Sequence, residues 1–337
     1  MNVSHNISLK NYNTFNIEVF AENFVEATSV AHLKDIIQLD YPEMFLLGGG
    51  SNMLLTKNIT ESLVVHVNIK GKEVIRQDDN DVYIKAHAGE NWHEFILWCL
   101  SYNYGGLENM SLIPGNVGTA PIQNIGAYGK ELKDNFVSCE ALEIVTGKLR
   151  TFSKDECQFG YRNSIFKNEL KNKYIITSVT FKLTTQDHIT NTSYGAIETE
   201  LASKNITSPT LTDISNAVIS IRQSKLPDPN QLGNSGSFFK NPIVPNSVFD
   251  TFISKFPDAP SYPASDTHTK IPAGWLIEQA GFKGKRFGDA GVHKHQALVL
   301  VNYNNATGQD IWDLAMRIKK VVFEKFGINI NPEVNIY

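Results

Sequence analysis

Apolar residues recur along the chain at two periods, and the periods mark its elements. Val30, Leu33, Ile36 and Ile37 fall at helical spacing behind Ser29, a side chain suited to an N-cap, and Tyr41-Pro42 ends that helix. The unbroken apolar run 44–47 reads as a buried strand. Val82, Ile84, Ala86 and Ala88 alternate along one face of a second strand that stops at Gly89. Trp92, Phe95, Ile96, Cys99 and Leu100 then form a helical stripe whose aromatic rings belong to the core. A hairpin is expected over 139–153 around Thr146-Gly147, and the β-branched run 174–183 predicts another strand. Thr212-Asp213 are expected to cap a helix that turns Ile214, Ala217, Val218 and Ile221 inward and closes at Pro227. Further helices are expected over 248–256 and 273–280, and a strand over 297–301. Thr307 and Asp310 frame a capping box before Ile311, Leu314, Ala315, Ile318 and Val322, with Gly327 as the stop. Residues 328–336 alternate strictly, Ile328, Ile330, Pro332, Val334 and Ile336 against Asn329, Asn331, Glu333 and Asn335, which predicts one continuous strand.

Three stretches follow neither period. Residues 48–52, GGGSN, leave the expected strand 44–47; their amides can converge on an anion, and a tight structural turn accounts for them equally. The spacing is not the dinucleotide fingerprint G-x-G-x-x-G, because its sixth position is Met53 and no helical pattern follows. Residues 105–129 carry glycines at 105, 106, 115, 118, 126 and 129 and prolines at 114 and 121, which excludes a long regular element. A loop of that length inside a compact domain is usually functional, and its small residues and backbone donors suit an elongated ligand. Residues 233–242, GNSGSFFKNP, set Ser235 and Ser237 among glycines ahead of two phenylalanines. A hydroxyl held at a bend is a candidate proton donor, and a turn entering a strand explains the same pattern. Arg162 in GYRNSIFK reads as a surface cation or as a fork of donors for a carboxylate or enolate. Glu333, the single charge on the last alternating segment, reads as a solvated edge or a catalytic carboxylate.

Length and charge narrow the classes. At 337 residues the chain exceeds one ordinary core and predicts two or three domains, with a boundary near the helix around Ile214 to Ile221. A net charge of -4 gives no ground for nucleic acid or an anionic membrane surface as partner, so any anionic ligand must be held by local groups. No apolar run approaches the ~20 residues of a membrane span, and the first residues lack a basic segment followed by an apolar one, so membrane insertion is not expected and the location expected is cytoplasmic. Cys99, Cys139 and Cys157 are widely separated and show no metal-ligand spacing; they are expected to be reduced. His293 and His295 have no partnering cysteine or carboxylate motif, so a place at a strand entry is favoured over a metal site.

Eight segments together are more specific than any one. LLGGGSN, SLIPGNVGTAPIQNIGAYG, GYRNSIFK, RQSKLPDP, GNSGSFFKNP, AGWLIEQAG, VHKHQALVLVN and NPEVNIY stand in the order found in the UDP-N-acetylenolpyruvoylglucosamine reductase (MurB) family, and the chain resembles that family over essentially its whole length. The resemblance implies an α+β fold: a two-lobed FAD-binding domain of the p-cresol methylhydroxylase/vanillyl-alcohol oxidase type plus a C-terminal α+β substrate-binding domain. The expected boundaries are 1–68 and 69–217 for the lobes, 218–320 for the substrate domain and 321–337 for a C-terminal segment returning to the active site.

What the resemblance implies chemically is a two-stage reduction in peptidoglycan precursor synthesis. NADPH reduces FAD, and the enolpyruvyl group of UDP-N-acetylglucosamine enolpyruvate then receives the hydride, giving UDP-N-acetylmuramate. By motif, Ser237 would be the proton donor, with Arg162 and Glu333 stabilising the enol or enolate. The cofactor positions would be Gly48, Gly49, Gly50, Ser51, Asn52, Gly115, Gly118, Gln123, Asn124, Gly126 and Tyr128. Substrate would meet Lys225, Asn241, Gln296 and Tyr194, the last matching the tyrosine that the longer, type I members fold over the substrate diphosphate. Ser51-Asn52 stands where some superfamily members carry a tethering histidine, so FAD is expected to be non-covalent, and the protein is expected to be a monomer. Ser235 is expected to be no more than a flexible neighbour of Ser237. Two other readings remain open: an FAD oxidase of the same superfamily, and a non-redox UDP-sugar-binding protein.

Overall fold

The computed structural model describes residues 2–337. It divides into two compact units that interleave along the chain: one holds 2–7, 21–49 and 60–224, the other 8–20, 50–59 and 225–337. The chain therefore crosses from one unit to the other inside the first glycine stretch, between Gly49 and Gly50.

The first unit carries two sheets. One orders its strands Ser4–Ser8, Phe20–Ala27, Ile59–Val67 and Met44–Leu47, the last two running parallel. Helix α1 (Val30–Ile36) precedes Met44–Leu47 and buries Leu33 and Ile36, with Ser29 accepting from the His32 amide as its cap. The other sheet is antiparallel, in the order Leu149–Ser153, Phe136–Glu143, Tyr174–Thr184, Asp81–His87 and Lys72–Gln77. Its central strand, Tyr174–Thr184, is paired on both sides, which is why a β-branched, mostly buried run sits there. Helix α2 (Trp92–Ser101) lays Trp92, Phe95, Ile96 and Cys99 into the core beside Phe181, with the Trp92 indole donating to the Met110 carbonyl at 3.1 Å.

Helices α3 (Gly195–Ser203) and α4 (Leu211–Lys225) close this unit, packing through Ile197, Leu201, Ala217, Val218 and Ile221, with Tyr128 against the same cluster. The cap of α4 lies two residues earlier than the expected Thr212. Thr210 Oγ1 accepts from the Asp213 amide at 3.2 Å while Asp213 Oδ2 accepts from the Thr210 amide at 2.9 Å. Leu211 is buried, so the helix needs that extra position inside its first turn.

The second unit is built on the antiparallel sheet Gly233–Ser237, Val299–Asn302, Ala290–Val292 and Arg286–Phe287, with a three-stranded sheet of Ile243–Pro245, His268–Lys270 and Tyr262–Ser265. Helices α5 (Asn246–Ile253), α6 (Ala273–Gln279) and α7 (Gly308–Phe326) accompany them. The last segment corrects the expected continuous strand. Its burial does alternate, with Ile328, Ile330 and Val334 inside, yet only Asn335–Ile336 is a regular strand, parallel to Met53–Leu54, with one isolated bridge from Pro332 to Phe239. Two different neighbours share the segment, and no single ladder can serve both.

The capping box of α7 is as expected. Thr307 Oγ1 accepts from the Asp310 amide at 3.1 Å, Asp310 Oδ2 accepts from the Thr307 amide at 2.8 Å, and Gly327 ends the helix at φ +68°. Thr307→Ala is expected to remove about 1 kcal/mol of stability, read as a lower urea midpoint at unchanged slope.

Candidate active site

In the first unit the two glycine stretches touch. A Cβ at Gly49 would lie 2.8 Å from the Gly115 Cα, and one at Gly48 2.5 Å from Thr119 Cγ2. Gly118 has the same intolerance, because a Cβ there would come within 2.4 Å of the Ala88 Cβ. Glycine is what lets these segments lie so close, and part of the second stretch is held by its own amides, Gly118 to the Ala88 carbonyl and Val117 to the Glu90 carbonyl, both at 2.9 Å. Of the residues expected to bind a cofactor, Gly48, Gly49, Gly115 and Gly118 come together at this contact.

The GYRNS segment is fastened to the second glycine stretch at three points. Asn124 Nδ2 donates to the Gly160 carbonyl at 3.1 Å, an Arg162 guanidinium N–H to the Gly126 carbonyl at 2.8 Å, and Ser164 Oγ to the Ile122 carbonyl at 2.7 Å. Arg162 itself is left-handed, φ +53°, as is Asn124 at φ 44°. For an arginine that conformation costs roughly 1–3 kcal/mol and persists because the flanking bonds impose it, a pattern that clusters at functional sites. Asn124 is also fully committed: it donates to Glu131 Oε2 at 3.1 Å, and its Oδ1 accepts from the Lys133 amide at 3.1 Å. Its side chain holds the loop that presents Arg162. Gln123 and Gly126 flank it on the same loop, both half-buried.

Tyr128 is left-handed as well, φ 50°, and its ring meets Tyr194 edge-on with centroids 5.3 Å apart. Tyr194 is exposed and immediately precedes α3. Burial pushes the Tyr128 phenol above its ordinary value, while the neighbouring Arg222 works in the opposite direction. Arg222, in the last turn of α4, was not singled out by any pattern in the sequence. It follows the inward-facing Ile221 and opens RQSKLPDP, which is the only trace it leaves.

In the second unit, Ser237 and Glu333 are brought together by the backbone. The Glu333 amide donates to the carbonyl of Phe238, the residue after Ser237, at 2.8 Å, and the Lys240 amide to the Asn331 carbonyl at 2.9 Å. Both Ser237 and Glu333 are half-buried. The strand Gly233–Ser237 is irregular between Asn234 and Ser237, where Gly236 takes φ +66°. The bulge sends Ser235 inward: it is buried, with Oγ donating to the Met53 carbonyl at 3.3 Å and lying 3.3 Å from Thr14 Oγ1. Ser235 is thus an anchor, which corrects its reading as a flexible neighbour.

The same unit contains the end of the first glycine stretch. The Gly50 carbonyl accepts from the Thr14 amide at 3.1 Å, and the Asn52 carbonyl accepts from the Asn335 amide at 3.2 Å and from Asn335 Nδ2 at 2.9 Å. Gly50 is at φ +60° with the Tyr12 carbonyl where a Cβ would be. Residues 50–53, with Ser51 between, are therefore tied on one side to the segment bearing Glu333 and on the other to the strand bearing Ser237. Asn241 and Gln296 meet at the first turn of α6. Asn241 Oδ1 accepts from the Ala273 amide at 2.9 Å, and Gln296 Oε1 lies 3.3 Å from where a Gly274 Cβ would be. Lys225 ends α4, exposed.

All three cysteines are free and buried, and burial drives the Cys99 thiol up. Among the described residues no His/Cys/Asp/Glu group has the makings of a metal site, and no helix is long and apolar enough to cross a membrane.

Comparison with known proteins agrees with the geometry. The model of the UDP-N-acetylenolpyruvoylglucosamine reductase C-terminal domain matches residues 228–337, and that of an FAD binding domain matches residues 21–153. The chain is 62% identical over 337 residues to UDP-N-acetylenolpyruvoylglucosamine reductase from Flavobacterium johnsoniae, covering 100% of both, and 46% identical to that of Pseudomonas putida, covering 98% of both. Its fold is shared with the crystal structure of the reductase from Thermus caldophilus, at a TM-score of 0.71 and 21% identity over 100% of this chain and 99% of that one. The crowded glycines, the strained Arg162 loop and the paired Ser237 and Glu333 segments all lie on a chain that belongs to the UDP-N-acetylenolpyruvoylglucosamine reductase family.

Proposed function

We propose that the protein is an FAD-dependent, NADPH-consuming reductase that converts UDP-N-acetylglucosamine enolpyruvate to UDP-N-acetylmuramate, a step of peptidoglycan precursor synthesis. The observation that carries the reading lies in the second unit, where the Ser237 strand, the Glu333 segment and residues 50–53 are hydrogen-bonded together. A candidate acid is thereby held beside the end of the glycine stretch that would receive the cofactor. Gly48, Gly49 and Gly118 have no room for a Cβ, which supports a close backbone approach to FAD, and Ser51-Asn52 offers no histidine for a covalent tether. Bound FAD supplies hydride chemistry and draws its electrons from NADPH.

The chain's own residues handle charge and protons. When the terminal enolpyruvyl carbon gains hydride, negative charge builds on the neighbouring carbon and its carboxylate, and a site must oppose it with fixed donors. Arg162 supplies a permanent cation with paired N–H groups, pre-set by its three-point loop. Glu333 is the second group assigned by motif to stabilise the enol or enolate. Ser237 Oγ gives its proton to the carbon next to the carboxylate. A serine hydroxyl is a weak acid, and the basicity of that carbon drives the transfer. Lys225 pairs with the serine or with substrate, and Tyr194 covers the diphosphate. Action in the cytoplasm as a monomer, in the service of cell shape and division, completes the reading.

The direct test is anaerobic. NADPH should bleach the visible flavin band of the purified holoenzyme, the enolpyruvyl substrate should restore it, and mass spectrometry should find UDP-N-acetylmuramate. Restoration by oxygen alone, with the substrate inert, would mark an oxidase instead. Ser237→Ala is expected to leave bleaching by NADPH within about threefold of wild type and to slow restoration by substrate about 10²–10⁴-fold, the usual weight of a positioned acid; equal slowing of both phases would make Ser237 structural. Gly49→Ala forces a Cβ against the Gly115 backbone, and is expected to lower stability by about 1–3 kcal/mol and to yield protein that loses its flavin on gel filtration.

A further inference from the structure

Arg222 is a cation that the reaction outlined above does not use, in surroundings that do not balance it. Its Nε is buried and has no hydrogen-bond partner among the described residues. The groups that act on it electrostatically are the Tyr128 phenol, which accepts a hydrogen bond from it, and Arg162, a like charge. No ion pair joins it to a carboxylate among the described residues. His93 is a third basic group nearby, its pKa lowered by burial first and by Arg222 second. Its Nδ1 already accepts from the Leu112 amide at 3.0 Å.

A guanidinium does not shed its proton in a protein, so burial cannot be relieved by neutralisation. An uncompensated buried charge is among the costlier features a fold can carry. The surrounding structure nonetheless enforces it. α4 is clamped by the packing of Ile214, Ala217, Val218 and Ile221 and by Ser215 Oγ, 2.7 Å from Ser111 Oγ in the second glycine stretch. The backbone at Tyr128 is held left-handed, and Asn109 Nδ2 donates to its carbonyl at 3.0 Å and to the Asn191 carbonyl at 2.8 Å. Tyr194, edge-on to Tyr128, starts the helix that packs on α4. Arg222, Tyr128, Tyr194 and Arg162 thus form one electropositive group inside the first unit, with two aromatic rings beside two guanidinium groups.

We infer that Arg222 is a substrate-binding residue: its guanidinium, steadied by Tyr128, takes an anionic oxygen of the substrate, either of the enolpyruvyl carboxylate or of the diphosphate. The inference rests on the proposed reductase reading for the identity of the substrate. The anionic oxygen of the substrate then supplies a counter-charge that no carboxylate of the first unit provides, and binding energy is drawn from that pairing. Tyr194, through its contact with Tyr128, is linked to whether the place is filled.

The test uses oxidised, FAD-loaded enzyme, which binds without turning over. Calorimetric titration with UDP-N-acetylglucosamine enolpyruvate is compared for wild type, Arg222→Met and Arg222→Lys. Loss of charge-assisted hydrogen bonds should weaken binding about 10- to 100-fold in R222M, with part of the loss recovered in R222K. Titration with UDP-N-acetylglucosamine, which keeps the diphosphate and lacks the carboxylate, separates the two oxygens. An equal loss for both ligands assigns Arg222 to the diphosphate, and a loss confined to the enolpyruvyl compound assigns it to the carboxylate.

Thermal midpoints provide a readout that a structural arginine would move the other way. Without ligand, R222M should melt at or above the wild-type temperature, because an unbalanced charge has gone, while the ligand-induced rise should shrink. A lower midpoint without ligand, or affinities within twofold of wild type, would overturn the inference. Wild-type enzyme that bound neither nucleotide would instead sink the reductase reading on which the identity of the substrate depends.

Discussion

The contact on which the first unit depends is the close approach of Gly48 to the Thr119 side chain and of Gly49 to the Gly115 backbone. A Cβ at Gly48 or Gly49 would collide with that neighbour, so both positions are constrained to glycine by packing before any ligand is considered. The consequence for chemistry is that these two positions can offer a ligand only backbone, never a flexible side chain. Fixed backbone loses little entropy when an anionic cofactor settles on it. The packing requirement and the binding requirement select the same residue type, so the two explanations of GGGSN are not rivals.

The periodic parts of the fold were legible in the sequence because burial and period coincide there. The stripe from Trp92 to Cys99 and the capping box of α7 stand where the pattern puts them. Legibility failed where one segment serves two neighbours. The last residues keep the burial of a strand, yet their hydrogen bonds go to Phe238 and Asn331's partner Lys240 first and to the Asn52 to Leu54 segment afterwards. It failed again where a chain passes between units, since the 8–20 and 50–59 segments join the C-terminal part by contacts that no local pattern announces.

The candidate site was legible as residue types and not as arrangement. Ser237, Arg162 and Glu333 were visible through their motifs, but their motifs do not tell which neighbours fix them. Arg162 is presented by a loop whose geometry is imposed by Asn124 and Ser164. Ser237 follows a bulge that turns Ser235 inward to Met53, so two serines in one Gly-rich run have opposite duties. Arg222 had no signal in periodicity, because a helical position next to Ile221 looks like the edge of an apolar face whether its charge is solvated or buried.

These differences sort the polar residues of the motifs by what they already do without a ligand. Asn124 and Asn241 have side chains committed to the protein, the first to the Arg162 loop and the second to the start of α6. Replacing either would act through backbone displacement, and the chemistry would suffer indirectly. Arg222 stands at the other extreme, costly to the fold and unsatisfied at Nε. A fold tolerates such a group where function requires it, since stability and activity are selected together. Other buried polar atoms of the first unit also have no partner among the described residues, Asn109 Oδ1, Asn135 Oδ1 and His188 Nε2 among them, but Arg222 alone of these side chains carries a permanent charge, and that is what distinguishes the side chain between Tyr128 and Arg162.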